Sequence, residues 1–154
     1  MKVTILFSTF NGATTLPVML DRLTRIRHPP DGLQIIAVDN ASTDNTHAIL
    51  EDYRSKLPLL ILDCKERGKN NALNSSLDYI ESDLVILTDD DIIPDESWLV
   101  AMHDCAVENK NFQIFGGKII PHWPEKLPPY IERHVPLGMT FAVTPAEIPD
   151  GPVD

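Results

Sequence analysis

Val3-Thr4-Ile5-Leu6-Phe7-Ser8-Thr9-Phe10-Asn11-Gly12 is the stretch from which the fold can be read. It begins as an apolar, β-branched run without polar alternation, the pattern of a strand covered on both faces. Polar residues then take over, and Asn11-Gly12 breaks the strand. A helical stripe follows at Leu16, Leu20, Leu23 and Ile26, with Thr15 placed to cap it and Pro17 in its first turn.

The same unit recurs downstream. Leu33–Val38 reads as a second strand ending at Asp39, and Ser42-Thr43-Asp44 opens a helix with Ile49, Leu50, Tyr53 and Leu57 facing inward. Leu59–Leu62 is a short third strand. Arg67-Gly68-Lys69 leads into a helix with Leu73, Leu77 and Ile80 on one face. Leu84–Leu87 is the fourth strand, followed at once by Asp89-Asp90-Asp91, and Pro94-Asp95 starts a helix carrying Trp98, Leu99, Met102 and Ala106. Gln113-Ile114-Phe115 reads as a fifth strand ahead of Gly116-Gly117. Strands alternating with helices predict an α/β fold with a mostly parallel sheet and helices on both faces.

Character changes near Ile120: eight of the 13 prolines lie from Pro121 onward. Residues 1–120 are therefore expected to form one domain. The Pro-rich segment 121–154 is expected to be the start of a further region, cut within a larger domain.

The chain has 154 residues and a formal net charge of -10, from 23 acidic and 13 basic residues. Such an acidic surface argues against nucleic-acid binding. A phosphate-bearing ligand would need a bridging cation or a local donor-rich loop. Cys64 and Cys105 have no metal-type spacing and are expected to stay reduced. No leader-like segment or spanning-length apolar run is visible, so a cytoplasmic location is expected, with any membrane attachment supplied by parts of a longer parent.

In open parallel α/β sheets, ligands bind outside the carboxyl ends of the strands. Four polar segments fall there: Ser8-Thr9-Phe10-Asn11, Asp39-Asn40, Lys65-Glu66-Arg67-Gly68-Lys69 and Asp89-Asp90-Asp91. Three adjacent carboxylates repel one another, and a hard cation such as Mg²⁺ or Mn²⁺ relieves this. Alternation along an extended chain would put Asp89 and Asp91 on one side; the competing reading is an acidic turn before a helix. Asp39 suits hydrogen bonding to a ribose or base edge, or an Asx-type turn with Ser42. Arg67 and Lys69 beside a helix N-terminus suit a diphosphate, or form a solvated basic turn. His28, His47, His103, His122 and His134 lack tight zinc spacing; they read as surface groups, with a ligand or acid–base role as the alternative. Serine-hydrolase elbow, Walker loop and dinucleotide fingerprint are all missing.

Taken in order, the segments from Val3 to about Ile120 resemble glycosyltransferase family 2, whose donor domain has the Rossmann-like GT-A fold. Val38-Asp39-Asn40-Ala41-Ser42-Thr43-Asp44 is similar to the family's VD(D/N)xSxD segment. Arg67-Gly68-Lys69-Asn70-Asn71-Ala72-Leu73-Asn74 is similar to its xGxxxAxN helix start, and Leu87–Pro94 to its DxD segment. The resemblance implies metal-assisted, inverting transfer of sugar from a nucleotide-sugar donor, UDP-linked by expectation, to a saccharide, lipid-linked or other hydroxyl acceptor. It implies that Ser8, Thr9, Phe10 and Asn11 line the base pocket and that Asp39 holds the base. Arg67 and Lys69 would then lie near the diphosphate, Asp89 and Asp90 beside the donor, and Asp91 on the metal. The family's downstream catalytic base has no match: Glu125, Glu132, Glu147 and Asp150 lack its context, so no base is assigned. The alternatives are a Mg²⁺-dependent phosphohydrolase built on the strand-end Asp-x-Asp and a non-catalytic nucleotide-sugar-binding module.

Overall fold

The computed structural model describes residues 1–123, 125–145 and 151. The chain divides into two compact units, Met1–Gln113 and Ile114–Asp154.

The first unit is a four-stranded parallel sheet. Its elements are β1 (Val3–Thr9), α1 (Leu16–Leu23), β2 (Leu33–Asp39), α2 (Thr46–Tyr53), β3 (Leu59–Asp63), α3 (Lys69–Ser75), a 3₁₀ turn (Leu77–Tyr79), β4 (Leu84–Leu87) and α4 (Trp98–Glu108). The strand order is β3-β2-β1-β4. β1 pairs β2 from Val3↔Leu33 to Thr9↔Asp39, β2 pairs β3 as far as Asp39↔Asp63, and β1 pairs β4 from Val3↔Leu84 to Leu6↔Leu87. The chain winds one way from β1 to β3 and then crosses to the opposite side of β1. A switch point therefore opens between the carboxyl ends of β1 and β4.

Two-residue periodicity sorts the strands into two cores. Val3, Ile5, Phe7, Ile35, Ala37, Leu59 and Ile86 pack with Leu16, Leu20 and Leu23 of α1, Leu50 of α2 and Leu99 of α4. Leu6, Ile36, Val38, Cys64 and Ala72 form the core on the other face, beneath α3. Covering both faces explains why β1 and β2 read as unbroken apolar runs.

Several helix limits differ from the sequence expectation. α3 stops at Ser75 instead of running to Ile80. The hydroxyls of Ser75 and Ser76 donate back to Ala72 O at 2.7 Å and Leu73 O at 2.6 Å, competing with the helical ladder. Leu77, expected inside, is 56% exposed in the turn that follows. α2 begins at Thr46, where Asp44 Oδ1 accepts from the backbone N–H at 3.0 Å, and α4 begins at Trp98 after an Asp95–Ser97 turn. The expected strand at residues 113–115 does not form; among the described residues the sheet has four strands. A three-residue run ahead of two glycines offers little ladder to offset the glycine backbone entropy. Cys64 and Cys105 are both free thiols.

In the second unit, α5 (Pro129–His134) and α6 (Leu137–Phe141) are short. Trp123 meets Phe141 edge-on with ring centroids 5.0 Å apart, and Thr144 N donates to Ile119 O at 3.0 Å. Glu147 and Asp150 lie outside the described residues.

Candidate functional site at the carboxyl edge of the sheet

Because β1, β2 and β3 run in register, Thr9, Asp39 and Asp63 end the strands side by side. All three share the parity of the core that faces α1 and α2. Asn40, one residue on, has the opposite parity and is buried. Its Nδ2 donates to Cys64 O at 3.1 Å and Glu66 O at 2.7 Å, and its Oδ1 accepts from Gly68 N at 2.8 Å. This one side chain ties the end of β2 to the whole loop that presents Arg67 and Lys69. Gly68 takes φ 128°, a backbone state that L side chains rarely adopt, immediately before α3.

The first two loops are stapled together in the same way. Thr43 N donates to Asn11 Oδ1 at 2.8 Å, Asn11 N to Ser42 Oγ at 3.0 Å, and Ala13 N to Asp44 Oδ2 at 3.2 Å. Asp44 is held below the usual carboxylate range, chiefly by the Thr46 hydroxyl, with the Thr46 and Ala13 backbone N–H groups assisting. Ser42 N donates to Asp39 Oδ1 at 3.0 Å, which closes the Asx-type turn and supports Ala41 at φ 61°. The Asx-type turn expected from the sequence is thus formed, and it uses only one oxygen of the Asp39 carboxylate. Asp39 Oδ1 holds the turn, and Oδ2 faces a recess of about 320 Å³ lined by Ala41, Ser42, His47, Asp63, Cys64 and Lys65.

On the β4 side, Thr9 Oγ1 donates to Asp90 Oδ2 at 2.5 Å, and Lys69 Nζ pairs with Asp89 Oδ1. Gly12 permits the first contact: a Cβ there would lie 2.3 Å from Thr9 Oγ1 and 2.7 Å from Asp90 Oδ2. Asp90 and Asp91 form a turn, so the extended alternation expected to align Asp89 with Asp91 ends at Asp89. Asp89 and Asp91 are exposed. Lys69, Leu73, Leu87, Thr88 and Asp89 line a second recess of about 220 Å³. Arg67 stacks over the Phe10 ring, 4.8 Å from its centroid, and so joins the loops after β3 and β1. Ser8 is half-buried at the end of β1. The four strand-end segments singled out from the sequence therefore meet on one edge.

Two features are not legible in the sequence. Asp63 reads as the last residue of an unremarkable strand; its register partner Asp39 gives it a place in the site. His47, expected on the surface with the other histidines, lies beside both, with Nδ1 3.3 Å from Asp63 Oδ1 and 3.7 Å from Asp39 Oδ2. Among the described residues, Asp39, His47 and Asp63 are the one group of three or more such side chains whose ligand atoms lie within 4.8 Å of one another; Asp89, Asp90 and Asp91 form no such group. His47 itself is half exposed, as a surface group would be, whereas His103 departs from the surface expectation: it is buried in α4.

The geometry can be set beside known proteins. The family described as Glycosyl transferase family 2 matches residues 4–134. The chain is 30% identical over 93 residues to the poly(ribitol-phosphate) beta-N-acetylglucosaminyltransferase TarS of Staphylococcus aureus, covering 59% of this chain and 16% of that protein. The crystal structure of S. aureus TarS 1-349 in complex with UDP superposes with a TM-score of 0.66 at 26% identity, covering 71% of this chain and 33% of that one. A mannosyltransferase from Pyrobaculum calidifontis, in complex with GDP-Man and Mn²⁺, superposes with a TM-score of 0.57 at 32% identity, covering 61% of this chain and 29% of that one. The chain thus spans a third or less of each of these proteins.

Proposed function

The chain belongs to glycosyl transferase family 2, and from that premise we propose that it binds the nucleotide-sugar donor, a UDP-sugar, for inverting transfer to an acceptor hydroxyl. The observation that carries this reading is the convergence of four strand-end segments at the β1/β4 switch point of a GT-A-like sheet. Known proteins of similar fold carry UDP or GDP-Man in their structures.

Asp39 Oδ2 receives the base from the recess beside β2, where the carboxylate accepts a hydrogen bond from uracil. Ser8, Thr9, Phe10 and Asn11 approach the base from the end of the neighbouring strand β1. Arg67 and Lys69 meet the diphosphate at the N-terminal end of α3, and Lys69 gives up Asp89 for phosphate. Asp89, released, lies near the ribose. Asp90 stays bonded to Thr9 and fixes the loop.

The residues fit a divalent ion held jointly with the donor. They form no three-ligand cage at Asp89–Asp91, and Mg²⁺ or Mn²⁺ in such sites takes one or two carboxylates together with phosphate oxygens. Asp91, exposed beside the crevice, is the proposed protein ligand. When bound, the ion supplies positive charge against the departing diphosphate. In the transfer itself, the acceptor oxygen bonds to the anomeric carbon as the bond from that carbon to the phosphate oxygen breaks. The hydroxyl proton passes to a base to which no residue of this chain is assigned.

Calorimetric titration of UDP into the 154-residue chain tests the reading, with Mn²⁺, with EDTA, and with Asp91→Ala in Mn²⁺. The expected result is binding that requires the metal and falls at least tenfold in the variant. Absence of binding to UDP and to GDP under all conditions would sink the donor-site reading.

A further inference from the structure

Asp39, His47 and Asp63 meet without any contribution from the three-aspartate run. Asp39 and Asp63 end neighbouring parallel strands in register, on the same face of the sheet, and α2 delivers His47 onto that face. Two carboxylates so placed repel one another.

The two histidine–carboxylate spacings are close to those of a tetrahedral transition-metal site, and all three ligand atoms lie within 4.8 Å of one another. Zinc binds imidazole nitrogen and carboxylate oxygen at about 2.0–2.2 Å, which sets neighbouring ligand atoms about 3.3–3.6 Å apart. His47 Nδ1 lies 3.3 Å from Asp63 Oδ1 and 3.7 Å from Asp39 Oδ2. Asp39 is 5% exposed; its Oδ1 accepts from Ser42 N, and among the described residues its Oδ2 has His47 Nδ1, 3.7 Å away, as its ion-pair partner in the recess. The other imidazole nitrogen, Nε2, faces Glu51 Oε1 across 3.9 Å, one helical turn along α2. At 3.9 Å this is an ion-pair contact and not a hydrogen bond; a closer approach would give the carboxylate support usual for a metal-bound histidine. The recess leaves room for water as a fourth ligand. Lys65 also lines it and is the charge that opposes a cation there.

We propose that Asp39, His47 and Asp63 form a binding site for a zinc-class ion, separate from the donor-linked ion at Asp91. One imidazole and two carboxylates favour Zn²⁺ over Mg²⁺, which prefers oxygen ligands in octahedral array. The site shares Asp39 Oδ2 with the base contact proposed above, and to that extent rests on that reading: zinc and the nucleobase exclude one another.

Zinc is titrated calorimetrically into the full 154-residue chain without nucleotide, alongside Mg²⁺, and repeated on His47→Ala, His47→Gln and Asp63→Asn. Circular dichroism confirms that each variant is folded. The expected result is a zinc site that Mg²⁺ does not fill and that weakens at least tenfold in every variant. Zinc binding absent from the wild-type chain, or equal in a folded His47→Gln or Asp63→Asn protein, overturns the site. Adding uridine, which carries the base without a phosphate to chelate zinc, is expected to weaken zinc binding. Unchanged zinc affinity overturns the shared oxygen and leaves the metal site standing, so the two readings fail separately.

Discussion

Thr9 Oγ1 donates to Asp90 Oδ2 at 2.5 Å, so the middle carboxylate of the three-aspartate run is turned to the sheet while Asp89 and Asp91 remain exposed. The bond ties the end of β1 to the loop after β4 across the switch point. Thr9→Val keeps the shape and removes the donor. Because a buried hydroxyl bonded to a charged group is lost, the variant should be less stable by about 1–3 kcal/mol in urea unfolding. Gly12→Ala attacks the same contact sterically and should lower stability by about 1–3 kcal/mol, with UDP affinity falling in both.

Asn40→Ala leaves Cys64 O, Glu66 O and Gly68 N without their side-chain partner. A loss of about 1–3 kcal/mol is expected from stranded buried groups. The loop carrying Arg67 and Lys69 should loosen, which limited proteolysis near residue 67 would register as faster cleavage. Wild-type cleavage rates in the variant would contradict the anchoring role.

Asp89→Asn separates stability from binding. The Lys69–Asp89 pair is exposed on both sides, and such pairs contribute at most about 1 kcal/mol. The thermal midpoint should barely move, while metal-dependent UDP affinity should drop at least fivefold. A variant that unfolds early but binds normally would show that the pair is structural.

Tyr53 reports the α1–α2 contact. Its hydroxyl donates to Asp21 Oδ1 at 2.5 Å, and this bond, with burial and the charges of Asp21 and Asp52, pushes the phenol up to about 12. A folded value above the unfolded value of about 10 means that the contribution is complete below pH 10 and is lost as pH rises towards 12. Tyr53→Phe should therefore lower stability near neutrality and flatten its decline over pH 10–12, measured by urea midpoints across that range.

Much of the site is legible because strand ends are legible. Unbroken apolar runs such as Val3–Phe7 and Ile35–Val38 announce buried parallel strands, and the polar residues that follow them must lie at the sheet edge. Thr9, Asp39, Lys69 and Asp89 are found that way. Asn40 stands out only as a neighbour of Asp39, since nothing local reveals that an amide will reach 24 to 28 residues ahead. The apolar spacing predicts too long an α3, because it continues past the serines whose hydroxyls end the helix.

The sequence by itself determined the alternation of elements, the two-sided burial of β1 and β2, and the family to which the ordered motifs point, because periodicity and strand-end chemistry are local properties. Only the tertiary structure decided which of those groups meet. Register set Asp63 beside Asp39, the packing of α2 brought His47 to both, and the crossover from β3 to β4 set Asp90 against Thr9. Each pairing joins residues distant in the chain, and the energy that selects it is the burial of both sheet faces as a whole, which no single segment carries.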